Sequence, residues 1–359
     1  MADLNGNTIA ATYTGLLKTS DNGARGAEGS ADQISDGRGN NTPLYLSATE
    51  VYALGSGAGT SHTAFGKDCG VDLSTGTGNS LFGEGAGADL TTGEHNVAVG
   101  YHALYQGTTE SDDNVAIGYN AMSGGFTTAT VNDNVAIGSG SMAGVLTDSA
   151  DANTVVGTAA AASITKGAKH TAIGYQSLAT EDIGDRSTAI GYQSLYGQNS
   201  DSDNEETGNT AIGYKSGYSN VTGQNNTYMG YSAGQGISTK SHSDCVFVGS
   251  NAGSTAYTGD NNIAIGSGAM NDIDADATVG ASTENLFIGK DAGGGTWETA
   301  ASNYNIGIGN LSMDAAMNGA LGNVAVGYSS LSALTTGLHN TSIGYKSLLT
   351  NIDGDGNTA

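Results

Sequence analysis

Proline is nearly absent from this chain: Pro43 is the only one in 359 residues. Collagen-like and proline-rich linker architectures are thereby excluded. Cysteine is almost as scarce. Cys69 and Cys245 stand far apart, with no metal-ligand spacing and no disulfide framework to read. Basic residues are few, 11 Lys and Arg against 35 Asp and Glu, for a formal net charge of −24. That deficit argues against nucleic acid and anionic membranes as partners, since both need basic patches. No apolar run approaches the about 18 residues of a membrane span, so membrane insertion is not expected. The opening residues, Met1-Ala2-Asp3-Leu4-Asn5, show neither the basic nor the apolar region of an export signal. Charged residues make up only 13% of the chain and apolar residues 37%, less charge and more apolar character than a disordered chain carries.

Glycine, by contrast, is abundant at 58 residues, roughly twice the usual share, and it is ordered. The segments Asn96-Val97-Ala98-Val99-Gly100-Tyr101, Asn209-Thr210-Ala211-Ile212-Gly213-Tyr214 and Asn340-Thr341-Ser342-Ile343-Gly344-Tyr345 are copies of one unit. Sixteen such units are anchored on Gly66, Gly83, Gly100, Gly118, Gly138, Gly157, Gly174, Gly191, Gly213, Gly230, Gly249, Gly266, Gly289, Gly309, Gly327 and Gly344, spaced 17 to 23 residues apart. Seventeen is the shortest and commonest spacing, so longer units read as one coil plus a loop insertion.

Each column of the repeat has a physical reading. The residue before the glycine is always apolar, and the residue three before it is Val, Thr or Ile in fourteen copies, with Ser80 and Leu286 in the others. These positions lie two apart and share one face of a strand. Their branched side chains suggest the buried face. The opposite face, usually Ala, and the Ala or Ser three after the glycine then form a small-residue surface for close approach of neighbouring chains. Four after the glycine stand Leu, Met or Ala161, which fill space, and Gly, which is read as turning the chain. Four before it stands Asn in twelve copies, replaced by His62, His170, Ser187 and Cys245; stacked asparagines form side-chain amide ladders. Tyr follows the glycine in eight copies, predicting an aromatic stripe along the surface.

Seventeen residues are too few for a βαβ unit. They suffice for one turn of an all-β, parallel β-solenoid, with two short strands and two turns per coil. About sixteen coils rising about 4.8 Å each give a rod of roughly 75 Å. One coil buries little apolar surface against its backbone entropy, so association of identical rolls is expected to supply the rest.

The Asn-x-Ala-Ile/Val-Gly unit resembles the head repeats of trimeric autotransporter adhesins, and the Asn-Thr-Ala-Ile-Gly-Tyr form is similar to repeats of bacteriophage tail fibres. The resemblance covers about residues 56–359. It implies a left-handed β-roll, a homotrimer with two identical chains as partners, and a role in surface attachment. Residues 1–55 lie outside the repeat. Asn7–Leu17 reads as a short strand or helix, Asp36–Asn41 as a turn and Pro43–Ser47 as a strand, and the segment as a whole as a module binding a virion or tail protein. The chain reaches Asn357-Thr358-Ala359, the start of a seventeenth unit whose glycine would fall at 361, so the polypeptide is expected to continue.

No catalytic residue, cofactor or metal site emerges. His62, His95, His102, His170, His242 and His339 show no nucleophile–base pattern. Asp272-Ile273-Asp274-Ala275-Asp276-Ala277 imitates the start of a calcium loop but lacks the sixth-place Gly, and Thr283 stands in place of the twelfth-place Glu; Asp353-Gly354-Asp355-Gly356-Asn357 is comparable. Solvated acidic loops are the expected reading of both. Trp297 is expected to pack its insertion onto the rod. The longest insertions, about 197–208 and 271–284, are the expected contact surfaces. A non-catalytic virion fibre binding a host surface glycan or protein leads. A secreted bacterial adhesin at the cell surface, a polysaccharide-degrading tailspike and an ice-binding solenoid follow, the last set aside because Thr alternates with Val in its column and that column reads as buried.

Overall fold

The computed structural model describes residues 62–359, apart from 107–110, 126–129, 148–149, 203–204, 237–240, 256–258, 273–280 and 298–299, and four strands before them. Of these, β1 (Lys18–Thr19), β2 (Ala31–Ser35) and β3 (Asn41–Ser47) form an antiparallel sheet in that order. The strand expected at Pro43–Ser47 lies in β3, which already begins at Asn41. Asn7–Leu17 and 36–40 lie outside the described residues. β4 (Val51–Tyr52) pairs antiparallel with β5 (Thr63–Phe65).

From β5 to β20 (Thr341–Ile343) run sixteen strands of three residues, each parallel to and paired with the strand of the coil before and after it. Register is strict. Thr171, Ala172 and Ile173 lie opposite Thr188, Ala189 and Ile190, which lie opposite Thr210, Ala211 and Ile212. Each column of the repeat therefore stacks on itself, and the chain is a parallel β-solenoid.

Among the described residues each coil holds one strand, not the expected two. After the glycine the backbone alternates in handedness: His102 and Leu104 have φ of 52° and 51°, Lys215 and Gly217 of 51° and 60°. An extended pleat cannot form through such alternation. Axial hydrogen bonding continues regardless. The His102 N–H donates to the Glu84 carbonyl of the coil before, and the Leu104 N–H to the Ala121 carbonyl of the coil after, both at 2.9 Å. Leu, Met and Gly at this position share the left-handed conformation, so glycine there is not what turns the chain.

The facing of the strand also differs from the sequence reading. Its middle residue points inward and its two flanking residues outward: Ala172 is fully buried while Ile173 is 37% exposed. The alanines are inside and the branched residues outside because the coil is thin. The strand packs across the core against the segment three and four residues beyond the glycine, and the gap between them has room for one large side chain, not two.

Volumes across that gap are exchanged coil by coil. Ala98, Ala116, Ala136, Ala172 and Ala189 face Leu104, Met122, Met142, Leu178 and Leu195. Where the strand carries a large residue, as at Leu81, Tyr228, Phe247 and Phe287, the opposing residue is Gly87, Gly234, Gly253 or Gly293. A Cβ on Gly253 would meet Phe247 ring atoms at 2.5 Å, and one on Gly87 would meet Leu81 at 2.8 Å. Trp297 extends this packing. It is buried, lies edge-on to Phe287 at 5.8 Å and donates from Nε1 to the Gly293 carbonyl.

The anchor glycines have φ between 130° and 144°. At Gly213 a Cβ would lie 2.3 Å from the carbonyl oxygen of Gly230 in the next coil. Backbone strain and backbone collision thus coincide at that column.

The asparagine column forms a ladder. Asn96, Asn114, Asn134 and Asn153 each donate their backbone N–H to the Oδ1 of the asparagine one coil earlier, at 2.8, 3.0, 3.1 and 2.9 Å. Their Nδ2 groups donate to loop carbonyls of the next coil, as Asn96 to Ser111 (2.7 Å). The substitutes keep the pattern. His170 Nδ1 accepts from the Ser187 N–H (3.1 Å) and its Nε2 donates to the Gly184 carbonyl (2.5 Å), which fixes a neutral imidazole. His62 Nδ1 accepts from the Asn79 N–H, and the Cys245 thiol both accepts from the Asn262 N–H and donates to the Gly259 carbonyl.

Two tests follow from the packing. Gly213→Ala is expected to destabilise the protein by about 3 kcal/mol. Gly140→Ala, at φ 63° with nothing within 4 Å of the added Cβ, should cost only about 1 kcal/mol; urea unfolding followed by circular dichroism distinguishes them. Gly253→Leu and Phe247→Ala should each destabilise alone. Together they recreate the Ala/Leu pair of other coils, and a double-mutant cycle should return a favourable coupling of about 2 kcal/mol.

Candidate interaction surface

The inverted strand leaves an apolar face on the outside of the rod. All sixteen residues preceding the anchor glycines are apolar, and none is buried: Phe65 is 51% exposed, Met229 44% and Ile343 63%. Neither this column nor the Val/Thr column beside it contains a charged residue in any coil, in a chain of net charge −24. Sixteen coils of three-residue strands present a strip roughly 75 Å by 10 Å. One edge of the strip is apolar throughout and the other mixes Val, Ile and Leu with Thr and Ser; a contiguous uncharged face of this extent marks an interaction surface.

The tyrosines that follow the glycines border this strip. Tyr175, Tyr192, Tyr214 and Tyr231 stack in sequence with ring centroids 5.3, 5.2 and 5.1 Å apart, as do Tyr101 with Tyr119 and Tyr328 with Tyr345. They are 41–72% exposed, as the sequence predicts. The Thr column is likewise on the surface, so the ground for setting ice binding aside falls; its interruption by Val remains.

A second ladder escaped the sequence reading. Six residues before each glycine, an Asp, Asn or Ser side chain often accepts the backbone N–H of the same column one coil earlier. Asp112 accepts from Glu94 (2.7 Å), Asn132 from Asp112 (2.9 Å), Asp151 from Asn132 (2.7 Å) and Asp260 from Ser243 (2.8 Å). Asp355, within the second suspected calcium segment, does the same for Leu338 (2.8 Å), and is thereby a structural cap. Of the first segment, 273–277 lies outside the described residues; Thr283 donates its N–H to Asn303 in the same ladder. Among the described residues no group of three or more His, Cys, Asp and Glu is placed to hold a metal ion.

One acid departs from the expected solvated loops. Glu181 is fully buried. Its Oε1 accepts from the Gly184 N–H (2.8 Å), and its Oε2 from Gln198 Nε2 (2.7 Å) and Ser200 Oγ (3.1 Å). Gln198 explains the cluster. Its Oε1 accepts from Asn209 Nδ2 (2.9 Å), the bond that an asparagine at position 187 would otherwise receive. A glutamine from the insertion thus repairs the ladder where Ser187 breaks it.

The histidines are dispersed. His62 and His170 belong to the ladder. His102 stacks between Tyr101 and Tyr105, His95 makes an exposed 3.5 Å contact with Asp113, and His339 is exposed. His242 is buried against Tyr228 and Phe247, with Nε2 2.8 Å from the Tyr228 hydroxyl. Burial lowers its pKa to about 4 and, over the opposing pull of the Glu181 carboxylate, lowers that of His170. Burial also pushes Cys245 up to about 12, so the buried thiol is a packing group and not a nucleophile.

No family model, no curated protein and no solved structure matches the chain.

Both histidines are held neutral, so stability is complete above the unfolded-chain value of 6.5 and is lost as pH falls toward the folded one. From pH 8 to 4 the stability of His242→Phe relative to the parent should improve by about 3 kcal/mol; urea titrations of both proteins at each pH check this, with carboxylate effects common to both cancelling.

Proposed function

We propose that the chain is a non-catalytic structural and adhesive fibre, a virion appendage of the tail-fibre kind, in which three identical rods pack through the uncharged outward strand face. The observation carrying this reading is that face: sixteen consecutive apolar residues in one column, none buried and none interrupted by charge. The packing surface is therefore the branched column and not the small residues, which the core already uses.

The geometry suits the role. The column repeats with every coil, so identical chains placed side by side match along their whole length. Three faces converging on one axis remove from water the apolar side chains that a single thin roll leaves exposed. The acidic residues sit in loops and ladders on other parts of the coil, which limits repulsion between chains. The N-terminal residues then serve to join a virion or tail protein, and the insertions to meet a host surface glycan or protein. A secreted bacterial adhesin head would use the same rod at a cell surface.

Sedimentation equilibrium tests the assembly. The expected mass is three times the 35.7 kDa of one chain, and Ile190→Glu with Ile212→Glu should reduce it to one, each buried charge costing several kcal/mol. A parent protein that stays monomeric at micromolar concentration with its β spectrum intact overturns the trimer. Failure of the labelled protein to bind any host cell overturns the adhesive role.

A further inference from the structure

Beside the 197–208 insertion a cleft of about 370 Å³ opens, within the range of small-ligand sites, about 300–1,000 Å³. Its walls include Thr180, Tyr196, Asn199, Tyr218, Ser219 and Val221. Tyr196 and Tyr218 occupy the fifth position after the glycine in adjacent coils, the only two neighbouring coils of the sixteen with aromatic residues there. Their rings are parallel within 7° at 5.1 Å, and Lys215 lies over the Tyr218 ring at 5.0 Å.

We infer that this cleft binds a neutral saccharide, a pyranose unit of a glycan resting on the Tyr196–Tyr218 pair. Three observations favour that chemistry. The wall is mainly aromatic and aliphatic carbon, which suits the apolar C–H face of a sugar ring packed along the stacked tyrosines. Its polar groups are neutral: the amide of Asn199 and the hydroxyls of the two tyrosines, Ser219 and Thr180. None of these residues is charged; the nearby charges are the Lys215 ammonium over the Tyr218 ring and, two residues along the chain from Thr180 and Asn199, the carboxylates of Asp182 and Asp201. One cation set against two acids offers a uronate, sialate or phosphate little net attraction, while the hydroxyls and amide exchange hydrogen bonds with sugar hydroxyls. The site also stays open in the proposed assembly, because position five lies on the segment that packs across the core from the strand face. The inference rests on reading the rod as an attachment fibre and names the ligand class of one of its contact surfaces.

The test is saturation-transfer NMR on the full chain with maltotriose, the β-linked trisaccharide of N-acetylglucosamine, and tri-galacturonate. At least one of the two neutral trisaccharides should receive saturation at millimolar concentration, and the acidic one should not. Tyr196→Ala and Tyr218→Ala should each weaken binding tenfold or more, and Tyr218→Phe should retain it, with circular dichroism unchanged throughout. Silence from both neutral probes, preference for tri-galacturonate, or binding indifferent to the alanine variants overturns the inference. Because the readout is the cleft itself, a monomeric protein that binds sugar would sink the fibre and spare the site.

Discussion

The carboxamide that stands four residues before twelve of the sixteen anchor glycines is bound on every side. Its oxygen takes the backbone N–H of the next coil, and its amide nitrogen reaches the oxygen of the coil before and a loop carbonyl of the coil after. Burying a polar side chain is favourable only when its hydrogen-bonding capacity is met, and here it is met only if successive coils lie in register. A slip of one residue would leave a carboxamide and several loop carbonyls unpaired in the core. Hydrophobic packing in so thin a roll discriminates little between registers, since alanine stacks on alanine in many ways. The ladder supplies the discrimination, and its substitutes obey the same rule. Histidine offers one acceptor and one donor at similar reach, cysteine a weaker pair, and where serine is too short Gln198 enters from an insertion with Glu181 to hold its amide.

With register set by amides, the core is free to vary in shape. Most coils choose between alanine facing Leu or Met and a large strand residue facing glycine; where Ala211 faces Gly217, Leu195 and Tyr228 of the neighbouring coils reach into the space. The left-handed backbone common to Leu104, Met122 and Gly234 permits this exchange without a change of path. Leucine and methionine in that conformation bear a strain of about 1 kcal/mol each, which their burial offsets. The thinness that forces alanine inward also forces the branched residues outward, and the exposed face that motivates a three-chain assembly is the direct result.

Much of this was legible in the chain itself. Coil length, the parallel in-register stack, the amide ladder, the tyrosine stripe and the packing of Trp297 follow from fixed columns. The facing of the strand did not. Branched residues at Val97 and Val99 flanking Ala98 read as a buried face by propensity, but propensity registers a pleated, half-covered surface and not which side is covered. The second strand was lost to the alternating left-handed residues at positions such as His102 and Leu104, for which non-glycine side chains give no warning. The cap ladder of Asp112, Asn132 and Asp151 hid because loops of different length precede it, and Glu181 because its side-chain partners, Gln198 and Ser200, come from another coil.

Hydrogen bonds between coils all run along the long axis of the rod. Tension applied to the ends would therefore pull each layer straight off its neighbour and load the layers one after another, not side by side. The weakest junction opens first, and each opening releases one coil of chain, about 17 residues or about 55–60 Å when extended. A rod of this kind yields in steps and lengthens under load instead of snapping, so a tether built from it would absorb the pull of a moving surface by shedding turns from one end.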